Sequence, residues 1–258
     1  MSPTVVRAPG RVNLIGDHTD YTGGLVFPMA VDRWTEIRCA PHDRVELTSA
    51  DEAEPVSLPL RVDDPTAVSP AWGRYVAGVV SEMAPTQGIR GRVSTTIPIG
   101  GGMSSSHALE VAVALALGFE GSVVELAQLT QRAENRASGV PTGIMDQFAI
   151  AGGVAGHALL MDCGALTITP VPVPDDVDCA STSPDGSAGS VWRVVPSTVR
   201  GSSPAPHDRA THAASAATPQ RSSVANAWVV WGRVRVWSTW RVSHALCAPG
   251  RGRPRVHG

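Results

Sequence analysis

Regular patterning in this 258-residue sequence stops near residue 179, and that break sets how much of the chain can fold around a core. Residues 1–178 hold 11 arginines against 21 acidic residues, a net of −10, whereas residues 179–258 hold 10 arginines against only Asp185 and Asp208, a net of +8. The later part runs STSPDGSAGSVWRVVPSTVRGSSPAPHDRATHAASAATPQRSS, with turn formers at almost every step and no sustained apolar period. Such a stretch buries too little surface to offset its ordering entropy. Farther on, NAWVVWGRVRVWSTWRV sets four tryptophans among arginines, and APGRGRPRVHG closes the chain. The expectation is therefore a folded domain over 1–178 and a poorly ordered basic tail over 179–258, of the composition a GC-rich gene yields when read in a shifted frame. A basic arm that stacks on single-stranded nucleic acid is the competing reading of the tail, and no nucleic-acid partner is expected.

Within 1–178 the periodicities alternate. RWTEIRCAP (33–41), RVELTSA (44–50) and RVSTTIPI (92–99) have the two-residue alternation of half-exposed strands. SSSHALEVAVALALGFEG starts on a capping serine, continues as Ala, Leu and Val, and ends at Gly118 and Gly121, which predicts a largely buried helix. Leu126, Leu129 and Ala133 fall at helical spacing in VVELAQLTQRAENRASG (123–139), a third helix starts near Asp146, and HALLMDC (157–163) reads as a strand. Strands interleaved with helical pairs imply an α+β sandwich with helices on one face.

All 21 basic residues are arginine. The absence of lysine removes the Walker A loop, the protein-kinase strand lysine and Schiff-base chemistry. Cys39, Cys163, Cys179 and Cys247 show no zinc-ligand spacing and are expected as reduced thiols. No apolar run reaches the roughly 18 residues of a membrane span, and MSPTVVRAPG lacks a secretory apolar region, so a cytoplasmic protein without membrane contact is expected.

Three segments carry chemistry. APGRVNLIGDHTDYTGG (8–24) places Asp17, His18 and Asp20 in a glycine-bounded loop, a set suited to sugar hydroxyls. PIGGGMSSSHA (98–108) joins consecutive glycines to a serine run at a helix start, where free backbone N–H groups and the dipole favour a phosphate. A plain strand-to-helix turn would read the same way. AENRASGVPTGIMDQ (133–147) brings Glu134 from a helix and Asp146 from beyond a Pro/Gly loop, two carboxylates for a metal and a hydroxyl.

Together, in this order and spacing, the segments resemble the GHMP small-molecule kinases and, within them, the galactokinases, over residues 5–178. The resemblance implies the GHMP kinase N-terminal domain, an α/β sandwich like the second domain of ribosomal protein S5. It implies ATP-dependent phosphorylation of galactose to galactose 1-phosphate, with ATP and Mg2+. Arg11 would sit near the transferred phosphoryl group and favour the ionised form of Asp146, the base for the anomeric hydroxyl. Asp17, His18 and Asp20 would hold the sugar, with Tyr21 close by. Gly100, Gly101, Gly102, Ser104, Ser105 and Ser106 would wrap the phosphates, and Ser106 with Glu134 would hold magnesium. Phosphoryl transfer rests mainly on positioning and charge neutralisation, which needs no lysine.

Three departures stand out. Galactokinases usually carry glutamate where this chain has Asp17, which leaves open a kinase for a related sugar, such as an amino sugar, or a non-catalytic sugar or nucleotide binder. Met103 and His107 replace a usual leucine and alanine; His107 is read as a tolerated surface or partly buried residue. Nothing in 179–258 matches the family's third glycine-rich motif, so weak or absent turnover and uncovered apolar surface are expected.

Overall fold

The two longest strands form the frame on which everything else is hung. In the computed structural model, which describes residues 3–174 and the backbone of five short strand segments within 178–247, β1 (Thr4–Asn13) runs antiparallel to β3 (Pro28–His42). The other edge of β3 is divided. Its later half pairs with β6 (Gly88–Thr95), from Thr35 opposite Thr95 to His42 opposite Gly88, while Met29 pairs with Ala158 of β7 (His157–Asp162). β6 continues in parallel to β4 (Val45–Ser49), which pairs antiparallel with β5 (Val56–Leu58). β7 pairs antiparallel with β2 (Leu25–Val26) and β8 (Thr167–Pro172).

One irregularity of the β1–β3 ladder matters for function. Pro9 lies opposite Trp34 but Arg11 opposite Ala30, so β3 advances four residues while β1 advances two. Proline has no N–H for the ladder, and the register slips at a bulge beside it. The strand then takes a partner from outside the sheet: the Arg11 N–H donates to the Met103 carbonyl at 3.0 Å. Gly10 makes room for that approach, since a Cβ there would lie 3.0 Å from the same carbonyl and 3.2 Å from both Ile97 and Val31.

Four helices complete the core. α2 (Ser105–Ala116) and α4 (Met145–Gly152) pack on β1 and β3, and α3 (Val123–Ser138) packs on α2, on α4 and on α1 (Gly73–Met83). α2 buries Ala108, Leu109 and the run from Val111 to Leu115, the pattern of a helix enclosed by protein. α3 begins with a reciprocal capping box between Ser122 and Glu125 and ends at Gly139 in the left-handed conformation. Phe148, Met29, Ile37, Leu126, Ile150 and Leu159 are fully buried where these layers meet. Among the described residues, no helix is long and apolar enough to cross a membrane.

The expected strands near 33, 44, 92 and 157 and the helices starting near 105, 123 and 146 are all present. Two differences have local causes. Residues 8–13, read as part of a loop, belong to β1, because the bulge absorbs Pro9 and Gly10 without ending the strand. α1 was not foreseen: GRYVAGVVSEM holds two glycines, unfavourable in an isolated helix. Gly78 is there for contact, since a side chain would collide with the Ala133 carbonyl of α3. The expectation of a poorly ordered tail with a shifted-frame origin, together with Cys179 and Cys247, lies outside the residues whose side chains are described. Among the described residues Ile15, Tyr21, Leu25, Ile99 and Val140 are exposed, and all five sit in or beside the loops that bear the candidate site.

Candidate active site

The first loop leaves β1 at Asn13 and is folded by its own backbone. The Leu14 N–H donates to the Phe27 carbonyl at 3.0 Å, and the Phe27 N–H to the Ile15 carbonyl at 2.8 Å. The Thr19 hydroxyl lies 2.8 Å from the carbonyls of both Gly16 and Leu25, and the Gly24 N–H returns to the Thr19 carbonyl at 2.7 Å. His18 has a left-handed backbone, and Asp20–Thr22 form one turn of 3-10 helix. This closed loop fixes two carboxylates. Asp17 accepts from the buried Asn13 amide at 2.8 Å. Asp20 lies directly against the Gly143 backbone, in the space a Cβ at 143 would need. The loop therefore touches the segment that leads into α4. His18 and Tyr21 meet edge to face, ring centres 6.1 Å apart, on the exposed side.

The glycine-rich loop joins β6 to α2. Gly100, Gly102 and Ser104 all have positive φ, so the backbone reverses direction repeatedly before the helix begins. Ser104 occupies the N-cap position, but its hydroxyl caps nothing; it donates to Asp146 Oδ2 at 2.6 Å. A non-glycine residue held in the left-handed region carries a conformational cost that its surroundings must impose. Here the surroundings are the Asp146 carboxylate and the docked Met103.

Asp146 is the centre. It lies in the first turn of α4 with its side chain 8% exposed, and its Oδ2 receives Arg11 Nη2 as well as the Ser104 hydroxyl. The second Arg11 terminal nitrogen, Nη1, donates to the Gly102 carbonyl at 2.6 Å. Burial draws Arg11 well below its ordinary pKa, opposed by the carboxylates of Asp20 and Asp17. It stays charged because Asp146 would otherwise be a buried carboxylate without a cation. His107 Nδ1 stands 3.6 Å from the same Asp146 oxygen and 3.2 Å from the Ser106 hydroxyl.

Behind this centre lies an acidic group between helices. Glu134 on α3 is 7% exposed and Glu110 on α2 fully buried; both Glu110 oxygens and Glu134 Oε2 have no donor from any other residue. Burial, then the neighbouring Glu134 carboxyl, pushes Glu110 well above the usual carboxylate range. The same two acids, after burial, raise the Tyr75 phenol on α1. A carboxylate and a hydroxyl oxygen are hard donors of the kind magnesium takes while keeping several waters, and the undonated Glu134 Oε2 fits that use.

Residues 1–41 match the galactokinase galactose-binding signature, and residues 73–153 match the GHMP kinase N-terminal domain. Galactokinase of Thermococcus kodakarensis is 42% identical over 181 residues, covering 67% of this chain and 51% of that protein. The chain belongs to the galactokinase family. The human galactokinase is 43% identical over 188 residues, covering 66% of this chain and 47% of its own length. The crystal structure of Lactococcus lactis galactokinase in complex with galactose superposes with a TM-score of 0.64 at 32% identity, over 69% of this chain and 49% of that one. Methanococcus jannaschii mevalonate kinase, at 20% identity and a TM-score of 0.57 over 69% of this chain and 60% of that one, shares the fold. The chain thus spans about half the length of the curated galactokinases it matches.

The structure brings most of the residues singled out from the sequence into one region. Arg11, Asp146, Ser104 and Gly102 are directly bonded, and Asp17 and Asp20 lie close enough to act on the Arg11 charge. Ser106 and Glu134 each adjoin His107, the first by contact and the second through its charge. Gly100 and Gly101 lie in the turn before α2, Ser105 is the first residue of that helix, and His18 and Tyr21 stay at the exposed rim. Sequence reasoning passed over Asn13, four residues before the carboxylate it orients, and left His107 without a role although its ring lies within the site.

Proposed function

We propose that this galactokinase-family chain binds galactose and ATP and transfers the γ-phosphoryl group to the anomeric hydroxyl, giving galactose 1-phosphate and ADP. The observation that carries the reading is the Asp146 carboxylate, buried yet held by Arg11 and Ser104 between the glycine-rich loop and the loop that bears Asp17 and Asp20. Asp17, braced by Asn13, and Asp20, seated against Gly143, accept hydrogen bonds from the sugar hydroxyls, with His18 and Tyr21 at the edge. Asp146 takes the proton of the anomeric hydroxyl as that oxygen bonds to the γ-phosphorus and the bond from phosphorus to the β,γ-bridging oxygen breaks. Arg11 faces the charge that spreads over the phosphoryl oxygens. Gly100, Gly101, Gly102, Ser104 and Ser105 present the phosphate cradle at the start of α2. Ser106 and Glu134 would hold Mg2+, which supplies charge neutralisation at the β- and γ-oxygens when bound. Its place of action is the cytoplasm.

The test is an ATP-coupled assay of the full chain with galactose and magnesium, beside Asp146→Asn, with galactosamine as a second acceptor. Galactose-dependent ADP release that Asp146→Asn abolishes carries the reading. Galactose binding without turnover, from a folded sample, makes the chain a sugar binder built on a kinase domain.

A further inference from the structure

The His107 side chain is only 13% exposed, and its ring is packed against Ser106 and Asp146. One ring nitrogen meets two oxygens: Nδ1 is 3.2 Å from Ser106 Oγ and 3.6 Å from Asp146 Oδ2. A carboxylate oxygen repels a nitrogen lone pair and attracts an N–H, so the two faces of the imidazole are not equivalent in this position. Asp146 Oδ2 already receives Arg11 and Ser104, and at 3.6 Å it acts on His107 by charge and not by a hydrogen bond. The hydrogen bond goes to Ser106.

The geometry points to His107 as a positioning residue: its Nδ1–H, selected by the Asp146 carboxylate, donates to Ser106 Oγ and fixes that hydroxyl with a lone pair left for a cation. Nδ1–H is the less common tautomer of a free histidine side chain, and its selection here comes from position. One nitrogen thereby links the group that accepts the sugar proton to the hydroxyl assigned to magnesium. The cation part of this inference rests on the function proposed above; the tautomer does not.

Two measurements on the full chain separate these parts. Ring 15N NMR of histidine-labelled protein at pH 7, with the His107 signals assigned by their loss in His107→Asn, should show Nδ1–H, and Asp146→Asn should move the population toward Nε2–H. An Nε2–H ring in the unsubstituted chain overturns the inference. Mn2+ affinity in the presence of ATP, read by electron paramagnetic resonance of the free ion, should fall about three- to tenfold in His107→Leu, the factor of one neutral hydrogen bond. His107→Asn, whose amide nitrogen occupies the place of Nδ1, should restore most of it. Unchanged Mn2+ affinity in His107→Leu overturns the positioning role. An Nδ1–H ring in a chain that binds no Mn2+ upholds the contact and counts against the kinase reading alone.

Discussion

Replacing Arg11 by methionine isolates the pair on which the site is centred. The side chains of Arg11 and Asp146 are 12% and 8% exposed, so neither charge is screened by bulk water. Arg11→Met keeps most of the aliphatic stem but leaves Asp146 with the Ser104 hydroxyl as its remaining close donor on Oδ2, and it also strips the Gly102 carbonyl of its 2.6 Å partner. Breaking a buried pair by removing one member costs about 3–5 kcal/mol, most of it the burial of the charge left behind. The second substitution, Asp146→Asn, removes that charge, so Arg11→Met with Asp146→Asn should be destabilised less than the sum of the two single changes, by about 2 kcal/mol or more. The assay is urea unfolding followed by far-ultraviolet circular dichroism for the four proteins, with slopes compared to check that the same unit unfolds. Additive effects within about 0.5 kcal/mol would refute the reasoning, because two groups in direct contact cannot be energetically independent if their charges hold one another.

The remaining expectations concern stability and reactivity. Glu110, with its pKa raised in the folded chain, should cost stability as pH climbs above about 4.5, where the unfolded chain releases its proton and the folded one does not, so Glu110→Gln should gain on the parent progressively above that pH in unfolding titrations. His107, lowered from 6.5 to about 4, acts in the opposite direction: stability falls as pH drops from about 6.5 toward 4, and His107→Asn should flatten that limb. Ser122→Ala removes the hydroxyl that accepts from the Glu125 N–H and leaves only the backbone half of the α3 capping box, and it should cost about 1 kcal/mol in urea unfolding, an effect within 0.3 kcal/mol of zero counting against the cap. Burial holds the Cys39 thiol up at about 11, and burial together with Asp20 and Asp162 does the same for Cys163. Peptide mapping after brief iodoacetamide treatment at pH 8 should find both unmodified in the native chain and modified after urea.

How far the sequence could be read follows from where each constraint resides. α3 was legible because its apolar spacing falls within one stretch, 123–139, and α2 because its apolar run is continuous. α1 was not, since what stabilises it is Gly78 meeting the Ala133 backbone some 55 positions away, and two glycines argue against a helix until that neighbour is known. The site was named by its motifs, and Arg11, Asp17, Asp20, Ser104 and Asp146 do converge. The donors that orient them were hidden. The hydroxyl of Ser104 serves a carboxylate 42 positions away when its place at a helix start suggested a cap, and His107 looked incidental because nothing local discloses that Asp146 stands beside its ring.

The slipped register at Pro9 and Gly10 divides the work of Arg11 between its main chain and its side chain. The amide holds the later part of the glycine-rich loop through Met103, and the guanidinium holds that loop again at Gly102 together with Asp146. The loop is therefore not a free span from Pro98 to Ser105. It is pinned near its end, and the reach left to it is the few residues from Pro98 to Gly102. Deuterium uptake at the Arg11 amide becomes a clock for the loop's opening, because that hydrogen is released only when Met103 lifts away. Most replacements at position 11 cut the outer tie alone. Proline, with neither guanidinium nor amide hydrogen, would cut both.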